Sequence, residues 1–412
     1  MRKTSSRALA LGALTQWRGG NKFADAILGK LLRSSGLAAA DRGFATELFY
    51  GVLRNLTLLD SWIGYLRSAY LDDDSRDLLR LGLYQLFLLQ TPEHAAVFET
   101  VALASPKSRS LVNATLRNAA RKKETLQALA KKEALSVRKS HPQFLIDRWQ
   151  TNFGLPKTKA LCDWNNQPAP VYARINGLKI SGDEFFARYP ESERISAREN
   201  FVRRRSIPEN ALAAGHCYIQ DPSTAAACLL LDPQSGDRVL DACAAPGGKT
   251  GYLAELMKNM GFILACDRDE RRLETLTDNL KRLGAEIVRT IRHDWTKETL
   301  TEQAPFDRIL IDAPCSNTGV MRRRIDVRWR LTPDDFGRMA AEQLQIIRAT
   351  VPLLIPGGIL VYSTCSLEPE ENEQIVQRIL KEFSFLKLVE QESILPFRDG
   401  FDGAYAAKLV RS

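Results

Sequence analysis

The sequence predicts a multidomain chain: an all-helical N-terminal domain, a small α+β module and a doubly wound α/β C-terminal domain. Three observations carry this reading. Apolar residues recur at helical spacing through the first third of the chain. From residue 141 the texture becomes strand-like and loop-rich. Beyond Gly215, apolar strands alternate with amphipathic helices, which implies a parallel sheet with its ligand crevice at the strand carboxyl ends. A chain of 412 residues also exceeds what one ordinary core organises. The expected boundaries are 1–138, 139–215 and 216–412.

In the first region, "ADRGFATELFYGVLRNLTLLDSWIGYL" and "RDLLRLGLYQLFLLQ" carry the helical spacing. Asp41 is a candidate N-cap, and "TPEH" at 91–94 breaks one helix and starts the next. The run "RKKETLQALAKKEALSVRK" (121–139) reads as a basic helix or linker. Arg7 interrupts the faint signal-peptide look of the N-terminus, which reads instead as an amphipathic first helix. "LGLYQLFLL" is too short to span a bilayer, so no membrane role is expected. Seven scattered cysteines without paired spacing argue against a disulfide scaffold and against a metal site, and place the chain in a reducing cytoplasm. Nothing demands an oligomer, so a monomer is expected.

Charge divides unevenly. Residues 1–140 hold 22 Lys and Arg against 12 Asp and Glu, while the rest is near neutral. A basic domain attached to a neutral one favours a polyanionic partner, nucleic acid first; a solvated helical surface is the other reading, and charge alone leaves both open. The middle region follows, with the strand-like "PVYARINGLKI" (170–180) and then a polar, loop-rich stretch to Gly215.

The C-terminal strands are "DRVLDAC", "GFILACD", "AEIVRTIRHD", "FDRILIDAP" and "GGILVYST". After the first comes "DACAAPGGKT" (241–250), whose ending imitates a triphosphate loop. Cys243 stands where the first glycine of such a loop belongs, and Pro246 removes a needed N–H. What remains is an acid at a strand end (Asp241), a glycine turn and a helix start, where a ligand can approach the backbone. The second strand ends at Asp267, twenty residues past Gly247, where doubly wound folds grip ribose hydroxyls. The third ends near Asp294, which can meet an adenine amine. Three acids at successive strand ends suit S-adenosylmethionine better than a polyphosphate.

Asp312 and Cys315 follow the fourth strand, and Cys365 follows the fifth. The fourth and fifth strands are neighbours in this topology, so both thiols are expected at the cofactor crevice. A single cysteine at a strand end is usually an inert buried thiol; two at equivalent ends point to chemistry. Carbon 5 of a pyrimidine accepts a methyl group only after a thiolate has added at carbon 6. A carboxyl group beside the base edge stabilises charge building on the ring. Lys249 either lowers a thiol pKa or pairs with Asp312 for structural reasons. Arg322, Arg323, Arg324, Arg328 and Arg330, with Trp329, form a basic loop suited to phosphates and an unpaired strand, or else a solvated loop.

"DACAAPGGKT", "ILIDAPCSNTG" and "VYSTCSLEPEENE" resemble the motifs of the RNA 5-methylcytosine methyltransferases. "TPEHAAVFETVALA" followed by "LVNATLRNAAR" resembles a NusB-like RNA-binding domain, a pairing similar to the bacterial 16S rRNA cytosine-5 methyltransferases. The resemblance covers nearly the whole chain and is weakest around 180–210. It implies a NusB-like domain, an RNA-recognition-like subdomain and a Rossmann-like methyltransferase domain. It implies Cys365 as nucleophile and Cys315 as the thiol that helps release product. Cys243, Ala244, Ala245, Pro246, Gly247, Gly248, Lys249, Asp267, Asp294 and Asp312 would line the S-adenosylmethionine site, with Asp312 also facing the base. The expected partner is 16S rRNA or a small-subunit precursor. Alternatives are tRNA or another RNA as substrate or, in another class, a non-catalytic RNA-binding or antitermination factor. Two positions depart from the family pattern: Ile325 replaces a usual proline, and Asn317 a usual small residue. Both are expected to affect how RNA is seated and to leave the chemistry alone.

Overall fold

The computed structural model describes residues 5–20, 22–298, 300 and 305–412. The first four residues of the expected first helix lie outside the described residues. Two compact units emerge: residues 1–167 with 321–330, and residues 168–320 with 331–412.

The first unit is helical. Ser6–Arg18 starts at Ser5, whose hydroxyl accepts the Ala8 N–H. Ala39–Arg54 begins after Ala38, so Asp41 is not its N-cap. Asp41 sits inside the first turn, where a carboxylate meets the positive helix end, and it accepts the Ser6 hydroxyl at 3.1 Å. Leu56–Leu66, Asp73–Leu83 and a π turn at Tyr84–Leu88 follow. The chain breaks at Thr91-Pro92 and restarts as Glu93–Val101. The basic run is helical, as Lys123–Ala130 and Leu135–Arg138. Leu14, Leu48, Phe49, Leu59, Trp62, Leu79 and Leu116 fill the core. Gly51 permits a close helix approach there: a Cβ would lie 2.0 Å from the Tyr84 ring.

The 139–215 region opens with two helices. Helices Gln143–Phe153 and Leu155–Asn165 group with the first unit, which ends at Gln167. Their apolar residues Leu145, Ile146, Trp149 and Leu161 are buried, and Trp149 packs edge-on against His141.

The second unit holds two sheets. The small one has strands β1 (Val171–Ile175), β2 (Glu193–Arg194), β3 (Phe201–Arg204) and β4 (Cys217–Ile219), in the antiparallel order β2-β3-β1-β4. Helix Gly182–Arg188, opened by a reciprocal Ser181–Glu184 capping box, supplies Phe185 to its core. Arg174 on β1 is fully buried; it pairs with Glu255, and its guanidinium lies 4.5 Å over the Tyr252 ring. These contacts tie the small sheet to helix Gly248–Leu256.

The large sheet has β5 (Arg238–Asp241), β6 (Phe262–Asp267), β7 (Val288–Arg292), β8 (Phe306–Asp312) and β9 (Leu354–Thr364) parallel, while β10 (Leu386–Ile394) and β11 (Ala404–Arg411) pair antiparallel with each other and β11 pairs antiparallel with β9. The order is β10-β11-β9-β8-β5-β6-β7. The five expected strands are all present. The last two were not expected, and β10 explains why: an edge strand exposed over Lys387–Gln391 shows no apolar alternation. The chain runs outward from β5 on both sides, so β5 and β8 flank the switch point where ligands bind.

Candidate active site

The turn after β5 is closely packed. Gly247 has φ of +103° and caps helix Gly248–Leu256. A Cβ on Gly247 would sit 2.8 Å from Leu276, and one on Gly248 would sit 2.8 Å from the Tyr218 ring. Neighbouring side chains hold the carbonyls of the turn: Arg272 donates to Ala245 O at 2.6 Å and Asn279 to Pro246 O at 2.9 Å. Cys243, Ala244 and Ala245 form the inner part of the turn, where burial raises the Cys243 thiol well above its ordinary value.

Asp267 ends β6, nearly buried, with one oxygen accepting the Asp269 N–H at 3.0 Å and the other 3.4 Å from Arg272. Asp294 follows β7 and turns back on its own loop, accepting from Thr296 and pairing with Lys297 at 3.2 Å. The Thr296 hydroxyl contact, followed by burial in the opposite direction, leaves the Asp294 carboxyl below its usual value. Asp241 at the end of β5 is fully buried; burial, partly offset by the Thr250 hydroxyl at 2.7 Å, pushes its carboxyl up to about 7. Carboxylate acceptors around a glycine turn fit the ribose hydroxyls and positive sulfonium of S-adenosylmethionine. A triphosphate does not fit, because the one cation of the turn, Lys249, is engaged by Asp312 at 2.6 Å.

That ion pair organises the crevice. Burial works to lower the Lys249 ammonium, but the charge and hydrogen bond of Asp312 outweigh it, so it is held above its ordinary value. Lys249 is therefore a fixed positive charge and not a base. The other Asp312 oxygen accepts the Ser363 hydroxyl at 3.0 Å, across the paired ends of β8 and β9. Ser363 was not among the expected residues; its place opposite Asp312 follows from strand register, which the sequence does not display.

Cys315 and Cys365 meet as expected from their strands, with sulfurs 3.2 Å apart. The Cys365 thiol donates to Asn317 Oδ1 at 3.2 Å, which leaves the Cys315 proton for the Cys365 sulfur. The contact with Cys365, and then burial, raise the Cys315 thiol well above its ordinary value. Asn317 was expected to leave the chemistry alone, and this is corrected. Its φ of +59° turns the side chain back, so Nδ2 donates to Cys315 O at 2.7 Å while Oδ1 takes the Cys365 thiol. A left-handed asparagine is tolerated where most side chains are not.

The arginine loop differs from expectation. Residues 321–330 pack within the helical unit, with Ile325 in its core. Arg328 is fully buried and donates to Ser140 O at 3.1 Å, Asn166 Oδ1 at 2.6 Å and Asn165 O at 3.0 Å. Arg322 is buried, 3.7 Å over the Trp164 ring. Neither presents a face to a phosphate, so the expectation of RNA contact is withdrawn for both. Arg330 bonds Asp326 at 3.1 Å and Gly20 O at 3.0 Å. Arg323 is half-buried and Arg324 is exposed.

Among the described residues no cluster of His, Cys, Asp and Glu is placed to hold a metal, and no helix is long and apolar enough to cross a membrane.

Comparisons with known proteins agree with this arrangement. The 16S rRNA methyltransferase RsmB/F family matches residues 228–410, the NusB family matches 4–121, and the RsmF/B-like ferredoxin-like domain matches 141–203. The probable ribosomal RNA small subunit methyltransferase B of Bacillus subtilis is 34% identical, over 93% of this chain and 89% of that one. Ribosomal RNA small subunit methyltransferase B of Yersinia enterocolitica is 34% identical over 98% of both. The crystal structure of PH0851 superposes with a TM-score of 0.80 at 25% identity, covering 99% of this chain and 98% of that one. A methyltransferase homolog protein from Pyrococcus horikoshii, 31% identical, covers 68% of this chain and 98% of its own at a TM-score of 0.60. The helical domain, ferredoxin-like subdomain and methyltransferase domain are thus those of one lineage, and the chain belongs to the RsmB/F family of 16S rRNA methyltransferases.

Proposed function

We propose that this enzyme methylates carbon 5 of a cytosine in small-subunit rRNA through a covalent adduct on Cys365. The observation that carries the reading is the pair of thiols 3.2 Å apart beside the Lys249–Asp312 pair. S-adenosylmethionine, held by Cys243–Lys249, Asp267, Asp294 and Asp312, would supply an electrophilic methyl group. The Cys365 thiol gives its proton to water and adds to carbon 6 as the thiolate, which makes carbon 5 nucleophilic. Asp312, fixed by Lys249 and Ser363, faces the base edge where charge changes during addition. After methylation a solvent water takes the carbon-5 proton, the C5–H electron pair re-forms the ring double bond, and the C6–S bond breaks to release the Cys365 thiolate, to which the Cys315 thiol donates a hydrogen bond. The target base must leave its stack to reach two thiols at strand ends, which favours an unpaired or loop nucleotide. Arg323, Arg324 and Arg330 remain the arginines of the loop with surface to meet RNA.

Mapping 5-methylcytosine in RNA from a strain lacking the gene tests the substrate. The expected result is loss of one small-subunit rRNA mark, restored by the wild-type gene. Retention of every rRNA mark with loss of a tRNA mark would replace the substrate. Absence of S-adenosylmethionine binding by calorimetry would replace the enzyme with an RNA-binding factor.

A further inference from the structure

Behind the two cysteines lies a carboxylate that the reaction above does not use. Glu371 is fully buried, just past β9 in a short 3₁₀ turn at Pro369–Glu371. One oxygen accepts the hydroxyl of Ser316 and that of Ser366, the latter at 2.8 Å. The other accepts the Ser316 N–H at 2.8 Å and the Gln343 amide at 3.1 Å. Ser316 follows Cys315 and Ser366 follows Cys365, and the two hydroxyls are themselves 3.1 Å apart. One carboxylate therefore holds the residue after each thiol. Among the described residues none of its hydrogen-bond donors is a lysine or arginine, and burial raises the carboxyl above its ordinary value. Neighbouring bonds brace the same turns: Gln343 also donates to Pro314 O at 2.9 Å, and the Thr364 hydroxyl donates to Asn372 Oδ1 at 2.6 Å.

A buried carboxylate is costly to desolvate, so four donors converging on it fix their own positions. The Tyr362 hydroxyl donates to the Glu371 carbonyl at 2.6 Å, which anchors the clamp to β9. We propose that Glu371 is a positioning residue that holds the Cys315 and Cys365 loops in the register where both sulfurs serve one base. This rests on the two-thiol reading above. Displacement of a nucleophile by about an ångström costs on the order of 100-fold in rate, and the clamp acts on that coordinate.

The test compares Glu371→Ala with Glu371→Gln in the full-length enzyme, using an rRNA fragment and S-adenosylmethionine. Glutamine can keep the clamp, since its oxygen accepts from Ser316 N–H and Gln343 while its amide donates to the two seryl oxygens. The expected result for Glu371→Ala is a fall in kcat of about 100-fold, with KM for RNA and calorimetric cofactor affinity within about twofold. Glu371→Gln is expected to stay within about threefold of wild type in kcat. If Glu371→Ala does not fold, Ser316→Ala/Ser366→Ala removes both hydroxyls and leaves the other two bonds, with an expected loss of about tenfold in kcat. Equal kcat in wild type and Glu371→Ala, or in the double variant, overturns the proposal, as does an equal loss in the glutamine and alanine variants. Cys365→Ala, run in parallel, separates the two ideas: an active Cys365→Ala sinks the two-thiol reading, whereas an inactive one beside a neutral clamp variant sinks only the clamp.

Discussion

In residues 312–319 the side chains of the candidate site are held by short bonds around the ends of β8 and β9: Lys249 and Ser363 on Asp312, Asn317 on Cys365, and one thiol on the other. In residues 321–330, the next stretch of chain, the side chains are held by a helical core instead. Arg328 spends its guanidinium on two backbone carbonyls and an asparagine, and Trp329 donates to Leu53 O at 3.0 Å. The difference is one of reach. A cysteine sits two bonds from its backbone, so the strand that carries it decides where it goes. An arginine reaches several ångströms, and whichever partners lie there decide whether it meets solvent, a phosphate or the interior.

Changes in the two stretches should therefore fail in different ways. The largest effect belongs to the thiols. Cys365→Ala should remove turnover by about 1,000-fold or more while cofactor affinity holds, as read by single-turnover methyl transfer; activity near wild type would remove Cys365 from the chemistry.

The next effect lies in the cofactor crevice and is pH-dependent. The Asp241 carboxyl rises from 3.8 to about 7 on folding. Below 3.8 both folded and unfolded states hold this proton; between 3.8 and about 7 the folded state alone does. Stability from this group is therefore present at low pH, is lost as pH rises through that window, and levels off above it. Asp241→Asn should flatten the trend, gaining up to roughly 4 kcal/mol relative to wild type between pH 4 and 8, measured by denaturant unfolding. An unchanged slope would mean that Asp241 ionises normally in the fold.

In the arginine stretch the effect should fall on stability. Arg328→Ala leaves two buried carbonyls and an asparagine without their donor, and should cost roughly 2–4 kcal/mol. Arg324→Ala, at an exposed position, should stay within about 0.5 kcal/mol. If Arg328→Ala instead kept full stability and reduced the salt dependence of RNA binding, Arg328 would be a phosphate contact after all. A small effect is also expected of Asn317→Gly, which tolerates the φ of +59° and removes the thiol contact together with the bond to Cys315 O. The rate of adduct formation should fall about threefold, and no change would make that contact incidental.

Much of this was legible in the sequence because it depends on strand order. Alternating strands and helices placed Asp241, Asp267, Asp312, Cys315 and Cys365 at one sheet edge, and the structure brings Cys315, Cys365, Asp312 and Lys249 together there. The helical first domain was legible from apolar spacing. What escaped depends on partners distant in sequence. Strand β10 hides its type because its middle faces solvent. Glu371 looked like one more acid in "EPEENE", and only the fold shows that Ser316, 55 residues away, is its partner. The arginine loop misled because a charge run names no partner, and Ile325, apolar among arginines, was the one local sign of a segment seated in a core.

The central claim is that Cys365 attacks the base and Cys315 frees the product. RNA carrying 5-fluorocytosine, which cannot lose a proton from carbon 5, should arrest the enzyme as a covalent adduct in the presence of S-adenosylmethionine. Peptide mapping by mass spectrometry should place that adduct on Cys365 in wild type. With ordinary RNA, Cys315→Ala should accumulate the adduct that wild type clears. An adduct mapped to Cys315, or its formation by Cys365→Ala, would contradict the account.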